Sequence, residues 1–126
     1  MKSQHILIID DESVICDACR MVLSEMGHHV TCCHNGMDGL SAIHSGDYDL
    51  ILLDMKLADI DGLDILQALH EEKVQPCIIV MTGYATMANA VETMKLGAAD
   101  YLAKPFTDDE LISTIETACL KRQQGN

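Results

Sequence analysis

Polar and apolar positions along the chain alternate between two periods, and each change of period marks the boundary of an element. A short apolar run, His5-Ile6-Leu7-Ile8-Ile9, ends abruptly in Asp10-Asp11. Val14, Ile15, Ala18, Cys19, Val22, Leu23 and Met26 then recur at the spacing of one helix face, and Gly27 stops the pattern. Residues 28–33 read as a second strand, Asn35-Gly36 breaks it, and residues 37–44 read as a helix. Leu50-Ile51-Leu52-Leu53 is a continuous apolar run that again ends in aspartate, Asp54. A helix follows over residues 62–70, with Leu63, Ile65, Leu66 and Leu69 on its face. Pro76 opens the run Cys77-Ile78-Ile79-Val80-Met81, which ends in Thr82-Gly83. Residues 85–96 are helical and stop at Gly97; Tyr101-Leu102-Ala103 is a short fifth strand before Lys104-Pro105. The last helix spans residues 108–120, with Leu111, Ile112, Ile115, Ala118 and Cys119 in one stripe.

Strands apolar on both faces, alternating with helices, predict an α/β fold with a parallel sheet covered on both sides. Its crossovers should be right-handed. No internal boundary, repeat or low-complexity segment interrupts the five units, and the polar end Lys121-Arg122-Gln123-Gln124-Gly125-Asn126 reads as frayed terminus or linker.

Composition narrows the function classes. A chain of 126 residues, 48% hydrophobic, fits one domain and needs no disulfide or metal to hold a core. Its 20 acidic and 8 basic side chains give a net charge of -12, and only two residues are arginine. That balance argues against binding phosphate backbones or an anionic membrane surface. No apolar stretch approaches the roughly 20 residues of a membrane span. The N-terminal run is too short for a signal peptide, so a cytoplasmic location is expected. The six cysteines then read as reduced, mostly small buried residues. Cys16 and Cys19 form a CxxC, but it lacks the strand–loop context of a redox motif, and zinc would need a second pair. The six histidines are scattered, with none at ligand spacing.

In an open parallel sheet, ligands bind beyond the carboxyl ends of the strands, where the strand order reverses. The residues there are Asp10 and Asp11 after the first strand, Asp54 after the third, Thr82 after the fourth and Lys104 after the fifth. One polar residue at a strand end is ordinary turn chemistry; the whole set together is not. Three adjacent carboxylates repel one another and call for a cation, and hard oxygen donors suit Mg²⁺. A metal, a carboxylate and a lysine can together neutralise a phosphoryl group in transfer. Asp54 could then attack phosphorus to form an acyl phosphate, with Thr82 and Lys104 each binding a phosphoryl oxygen.

Asp10-Asp11, Asp54, Thr82 and Lys104-Pro105, at these spacings, resemble the receiver domain of bacterial two-component response regulators. The resemblance covers about residues 4–121, and implies a receiver domain over residues 1–121 with 122–126 as polar tail or linker. The stretches Met81-Thr82-Gly83-Tyr84 and Gly97-Ala98-Ala99-Asp100-Tyr101-Leu102-Ala103-Lys104-Pro105-Phe106 particularly resemble receivers of nitrogen-regulation type, which precede an ATPase and a DNA-binding domain in sigma-54-dependent activators. The implied fold is flavodoxin-like, (βα)5, with a doubly wound five-stranded sheet in the order 2-1-3-4-5. Asp54 would be the phosphoacceptor. Asp11, Asp54 and the Lys56 carbonyl would bind Mg²⁺ directly, Asp10 mainly through water, and Lys104 would pair with the phosphoryl group. Thr82 would swing toward that group and Tyr101 would move inward with it, a two-state switch biased by the modification. For Tyr101, simple packing remains an alternative. Pro105 would follow a cis peptide bond. The face of the fourth helix, fifth strand and fifth helix would be the output surface and the site of any homodimer, while Met87, Val91 and Met94 on that helix are either an exposed contact patch or core.

Where the family often has Met-Pro after the phosphoacceptor, this chain has Leu57-Ala58, although Asp61-Gly62 is retained. Without proline the loop has more freedom, which makes the Lys56 carbonyl a less secure ligand. Lys56 and Tyr84 occupy positions that in the family tune phosphate lifetime, by shielding the acyl phosphate from water. The resemblance implies a domain phosphorylated by a sensor histidine kinase, catalysing that transfer and slow loss of the phosphate, with no turnover of external substrates. The nearness of Met1 to the first strand favours a response regulator over a receiver fused behind a kinase, either stand-alone or at the front of a longer regulator. Two other classes stay in view: a small Mg²⁺-dependent phosphohydrolase, and an interaction module that has lost phosphorylation. The first needs a second carboxylate two residues after the nucleophile, where this chain has Lys56, and the second fits poorly with an intact pocket. A nucleotide-binding fold is excluded, because no glycine-rich loop follows the first strand.

Overall fold

The structure, a computed structural model, describes residues 3–72, 76–83 and 87–124. Tyr84 and the first residues of the predicted fourth helix lie outside the described residues, as does the side chain of Met87. Strands and helices alternate strictly: β1 (His5–Ile9), α1 (Ser13–Glu25), β2 (His29–Cys33), α2 (Gly36–Ser45), β3 (Leu50–Asp54), α3 (Gly62–Glu71), β4 (Cys77–Thr82), α4 (Met87–Lys95), β5 (Asp100–Ala103) and α5 (Asp108–Gln124). All neighbouring strands are parallel, in the order β2-β1-β3-β4-β5. This is the doubly wound, flavodoxin-like arrangement.

Side chains alternate across a strand, so each apolar strand feeds two cores. Ile6 and Ile8 of β1, Leu50 and Leu52 of β3, and Ile79 and Met81 of β4 face one way. They pack on Cys16, Cys19 and Leu23 of α1 and Leu111, Ile115 and Ala118 of α5. Leu7, Ile9, Ile51, Leu53, Ile78 and Val80 face the other way, against Ile43 of α2 and Ile65, Leu66 and Leu69 of α3. β1, β3 and β4 are therefore buried almost throughout. β2 differs from the prediction: it lies at the sheet edge with one neighbour, and His29 is exposed while the rest are half-buried.

Two helices stop where glycine adopts a left-handed backbone, at Gly27 (φ 90°) and Gly97 (φ 99°). The end of α5 lies four residues beyond the predicted Leu120. Lys, Arg and Gln favour helix, and nothing breaks it before Gly125. Among the described residues no helix is long and apolar enough to cross a membrane.

Gly62 starts α3 against the backbone that follows β3. Its N–H donates to the Met55 carbonyl at 3.0 Å, and a Cβ placed there would lie 2.6 Å from both the Asp54 carbonyl oxygen and Met55 Cα. Backbone gives way less readily than a flexible side chain. Gly62→Ala is expected to cost roughly 1–3 kcal/mol in urea unfolding, the range of an overpacked interior; a change inside 0.5 kcal/mol, the usual span of surface substitutions, would show that the contact relaxes freely.

Candidate functional site

The strand order reverses between β1 and β3: the chain leaves β1 toward α1 on one face and β3 toward α3 on the other. The crevice at their carboxyl ends is where an open α/β sheet binds its ligands. Asp10 follows β1 directly and is fully buried. Its Oδ1 accepts the Glu12 N–H at 2.9 Å, and its Oδ2 accepts from Lys104 Nζ at 2.7 Å. Its backbone carbonyl accepts the Cys16 thiol at 3.3 Å. Asp54 closes β3, is 3% exposed, and presents Oδ1 3.5 Å from Lys104 Nζ and 3.4 Å from the Lys56 N–H that donates to it. Lys104 also reaches Glu12 Oε1 at 3.1 Å.

Lys104 is delivered by the end of β5. Its backbone N–H donates to the Thr82 carbonyl at 2.8 Å, which ties the ends of β4 and β5 together, and the Lys104–Pro105 peptide is cis. Thr82 is 2% exposed at the end of β4. Lys56 and Asp11 are exposed. Tyr101 on β5 is half-buried and packs against the core that α2 and α3 share. Val91 and Met94 are exposed on α4. Asp54, Lys104, Glu12, Lys56 and Gly83 line one open cleft.

Burial pushes the Asp54 carboxyl up to about 6, and the negative charges of Asp10 and Asp11 add to this, while Lys104 and the Lys56 N–H oppose it. For Lys104, burial works against its charge, but the hydrogen bond and charge of Asp10, with Asp54 and Glu12, outweigh it and raise its pKa. The cysteines behave as core: burial first, then neighbouring charges, push the Cys16 and Cys19 thiols up to about 12.

The structure thus brings three predicted residues, Asp10, Asp54 and Lys104, into direct contact or near it. Asp11 stays exposed, outside the group of carboxylate oxygens from Asp10, Glu12 and Asp54 that lie within 4.8 Å of one another. Glu12 was not singled out from sequence, although the run Asp10-Asp11-Glu12 was a visible signal. An oxygen-only carboxylate group of this kind is compatible with a hard divalent cation.

An open, doubly wound α/β domain with a lysine drawn into an acidic group at its switch point is therefore the class this fold and site define. The response regulator receiver domain family matches residues 6–116, and the chain belongs to that family, the receiver domains of two-component systems. It is similar to the transcriptional regulatory protein YkoG of Bacillus subtilis (strain 168), with 38% identity over 125 residues that make up 99% of this chain and 54% of that protein. The chain spans about half the length of the curated relatives it matches. Among solved structures it resembles a response regulator receiver domain protein (CheY-like) from Methanospirillum hungatei JF-1, with TM-score 0.91, 29% identity and coverage of 99% of this chain and 100% of that one. It also resembles a Burkholderia pseudomallei response regulator whose structure holds a phosphorylated aspartic acid, a calcium ion and citrate, with TM-score 0.83, 29% identity and coverage of 98% of this chain and 72% of that one.

The raised Asp54 carboxyl gives a signed stability prediction. Its folded value of about 6 exceeds the ordinary 3.8, so the folded state holds this proton more tightly than the unfolded chain. The ionised group thus costs stability above about pH 6, and the cost fades as pH falls toward 4. In metal-free buffer Asp54→Asn is expected to stabilise the fold at pH 7.5 by on the order of 1 kcal/mol, because loss of the Lys104 contact cancels part of the gain. Denaturation at pH 7.5 and 4.5 should show the advantage shrinking at the lower value; a variant less stable than wild type at pH 7.5 would contradict the raised pKa.

Proposed function

We propose that Asp54 accepts a phosphoryl group from the phosphohistidine of a sensor histidine kinase, and that the modification switches the surface around β5. The observation that carries this reading is a carboxylate buried at the switch point, held beside Asp10 and 3.5 Å from the Lys104 ammonium. An Asp54 oxygen forms a bond to phosphorus as the bond from phosphorus to the histidine nitrogen breaks. The raised Lys104 pKa keeps its ammonium charged to bind a phosphoryl oxygen. Thr82, at the neighbouring strand end, supplies a hydroxyl to the same group, and Tyr101 moves inward behind it.

Mg²⁺ suits this oxygen-only donor set: Asp11, Asp54 and the Lys56 carbonyl would hold it with Asp10 acting through water, and when bound it neutralises phosphoryl charge. The phosphorylated aspartic acid and calcium ion in the Burkholderia pseudomallei structure support both parts of the reading.

The transcriptional relative supports an output through transcription, carried by parts of a longer regulator, and a cytoplasmic location goes with the receiver family. The nitrogen-regulation type rests on the stretches 81–84 and 97–106. Exposed Val91 and Met94 support α4, β5 and α5 as the output or homodimer face. Lys56, exposed in the cleft, suits a shield for the acyl phosphate. Catalysis is limited to self-phosphorylation and slow loss of the phosphate.

The test is incubation with acetyl phosphate, followed by intact-protein mass. Wild type with Mg²⁺ is expected to gain one phosphoryl group, while Asp54→Asn and wild type in chelator gain none. The rate should fall at acid pH, once Asp54 takes up a proton. Asp54→Asn labelled like wild type would sink the reading, and multiple turnover on a generic phosphate ester would support the phosphohydrolase instead.

A further inference from the structure

We propose that Asp59 is a positioning residue that fixes the loop after Asp54 by clasping the start of α2, a restraint supplied in place of the missing proline at Ala58. The inference rests on the reading of Asp54 and the Lys56 carbonyl as ligands of Mg²⁺.

Residues 55–61 join β3 to α3 and carry Lys56. The base of this loop is closed: the Met55 N–H donates to the Met81 carbonyl at 3.1 Å, and the Gly62 N–H donates to the Met55 carbonyl at 3.0 Å. Its far side is held by one carboxylate. Asp59 Oδ1 accepts the Gly36 N–H at 2.7 Å, and Oδ2 accepts the Met37 N–H at 2.9 Å.

These are the first two backbone donors of α2, which the helix itself cannot satisfy. Asn35, the cap residue, takes a different donor, the Asp38 N–H at 2.8 Å. The division of labour leaves Gly36 and Met37 for a group from outside the helix. The two backbone hydrogen bonds also hold the Asp59 carboxyl below its ordinary range.

Gly36 completes the clasp. It is buried, and a Cβ there would overlap the Ile60 side chain and come within 3.1 Å of Asp59 Oδ1. Only glycine lets residues 59 and 60 close onto α2. Ile60 in turn packs against the core shared by α2 and α3, and Leu57 is buried in that core. Pinned at residues 55, 59 and 62, the loop leaves a short span over Lys56, Leu57 and Ala58. A carbonyl in so short a span is held near one position before any ligand arrives, which lowers the ordering cost of binding.

The test compares wild type, Asp59→Ala, Gly36→Ala, and Asp59→Ala combined with Ala58→Pro. The readouts are the Mg²⁺ dissociation constant by calorimetry, amide hydrogen exchange of residues 55–61 without metal, and thermal unfolding. Asp59→Ala and Gly36→Ala are each expected to weaken Mg²⁺ binding about tenfold, the scale of a lost supporting contact behind a ligand, and to speed exchange in the loop. Adding Ala58→Pro should recover affinity without restoring the contact to α2, an effect that a merely structural role for Asp59 does not provide. Unchanged Mg²⁺ affinity in Asp59→Ala, whatever its melting temperature, overturns the proposal, as does failure of Ala58→Pro to recover it. A wild-type protein that binds no Mg²⁺ overturns the reading of the site itself, and this inference with it.

Discussion

The contact on which the site depends is the ion pair between Lys104 Nζ and Asp10 Oδ2, at 2.7 Å. The partners come from the ends of β5 and β1, with β3 and β4 lying between them in the sheet. Lys104 therefore crosses the ends of two strands to reach Asp10 and passes within 3.5 Å of Asp54 on the way. The pair holds only if all four strands end at one level, which the parallel register provides. Asp10 is fully buried, so removing Lys104 would leave its charge uncompensated, a loss on the scale of about 3–5 kcal/mol. Fold and site are thus not separable: the same two-faced strands that fill both cores carry the charged residues to a common edge.

The chemistry follows from imbalance at that edge. Lys104 serves Asp10 first, Glu12 second and Asp54 least closely. Burial pushes the Asp54 carboxyl up, and its oxygen lies farther from the lysine than those of Asp10 and Glu12. Asp54 is also the carboxylate that ends the central strand and faces the cleft. A group in this position gains from a cation and has an ammonium within reach for a new anion. Part of the net charge of -12 lies at this edge, where the carboxylates of Asp10, Glu12 and Asp54 come together and suit a divalent metal.

Much of this was legible in the sequence because strand ends announce themselves. An apolar run broken by aspartate, threonine or lysine marks both the element and the side chain it delivers, and Asp10, Asp54, Thr82 and Lys104 were all found that way. Glu12 shows the limit of that logic. It lies beyond the strand end and carries no periodic signal, yet its carboxylate joins Asp10 around Lys104. Asp59 was invisible for another reason: its role depends on a contact to α2 across 22 and 23 positions of sequence, and an aspartate in an exposed loop carries no periodic signal. The half-exposed face of β2 and the extension of α5 to Gln124 were missed because edge position and helix fraying are set by neighbours and breakers rather than by the apolar pattern.

The account comes down to which carboxylate becomes covalently modified. Borohydride reduces an acyl phosphate on aspartate to homoserine, which survives digestion and marks the position. After incubation with acetyl phosphate and Mg²⁺, reduction and peptide sequencing by mass spectrometry should find homoserine at position 54 and at no other acidic residue. Homoserine at position 10 or 11, or none at position 54 in protein that has gained phosphate, would contradict the account.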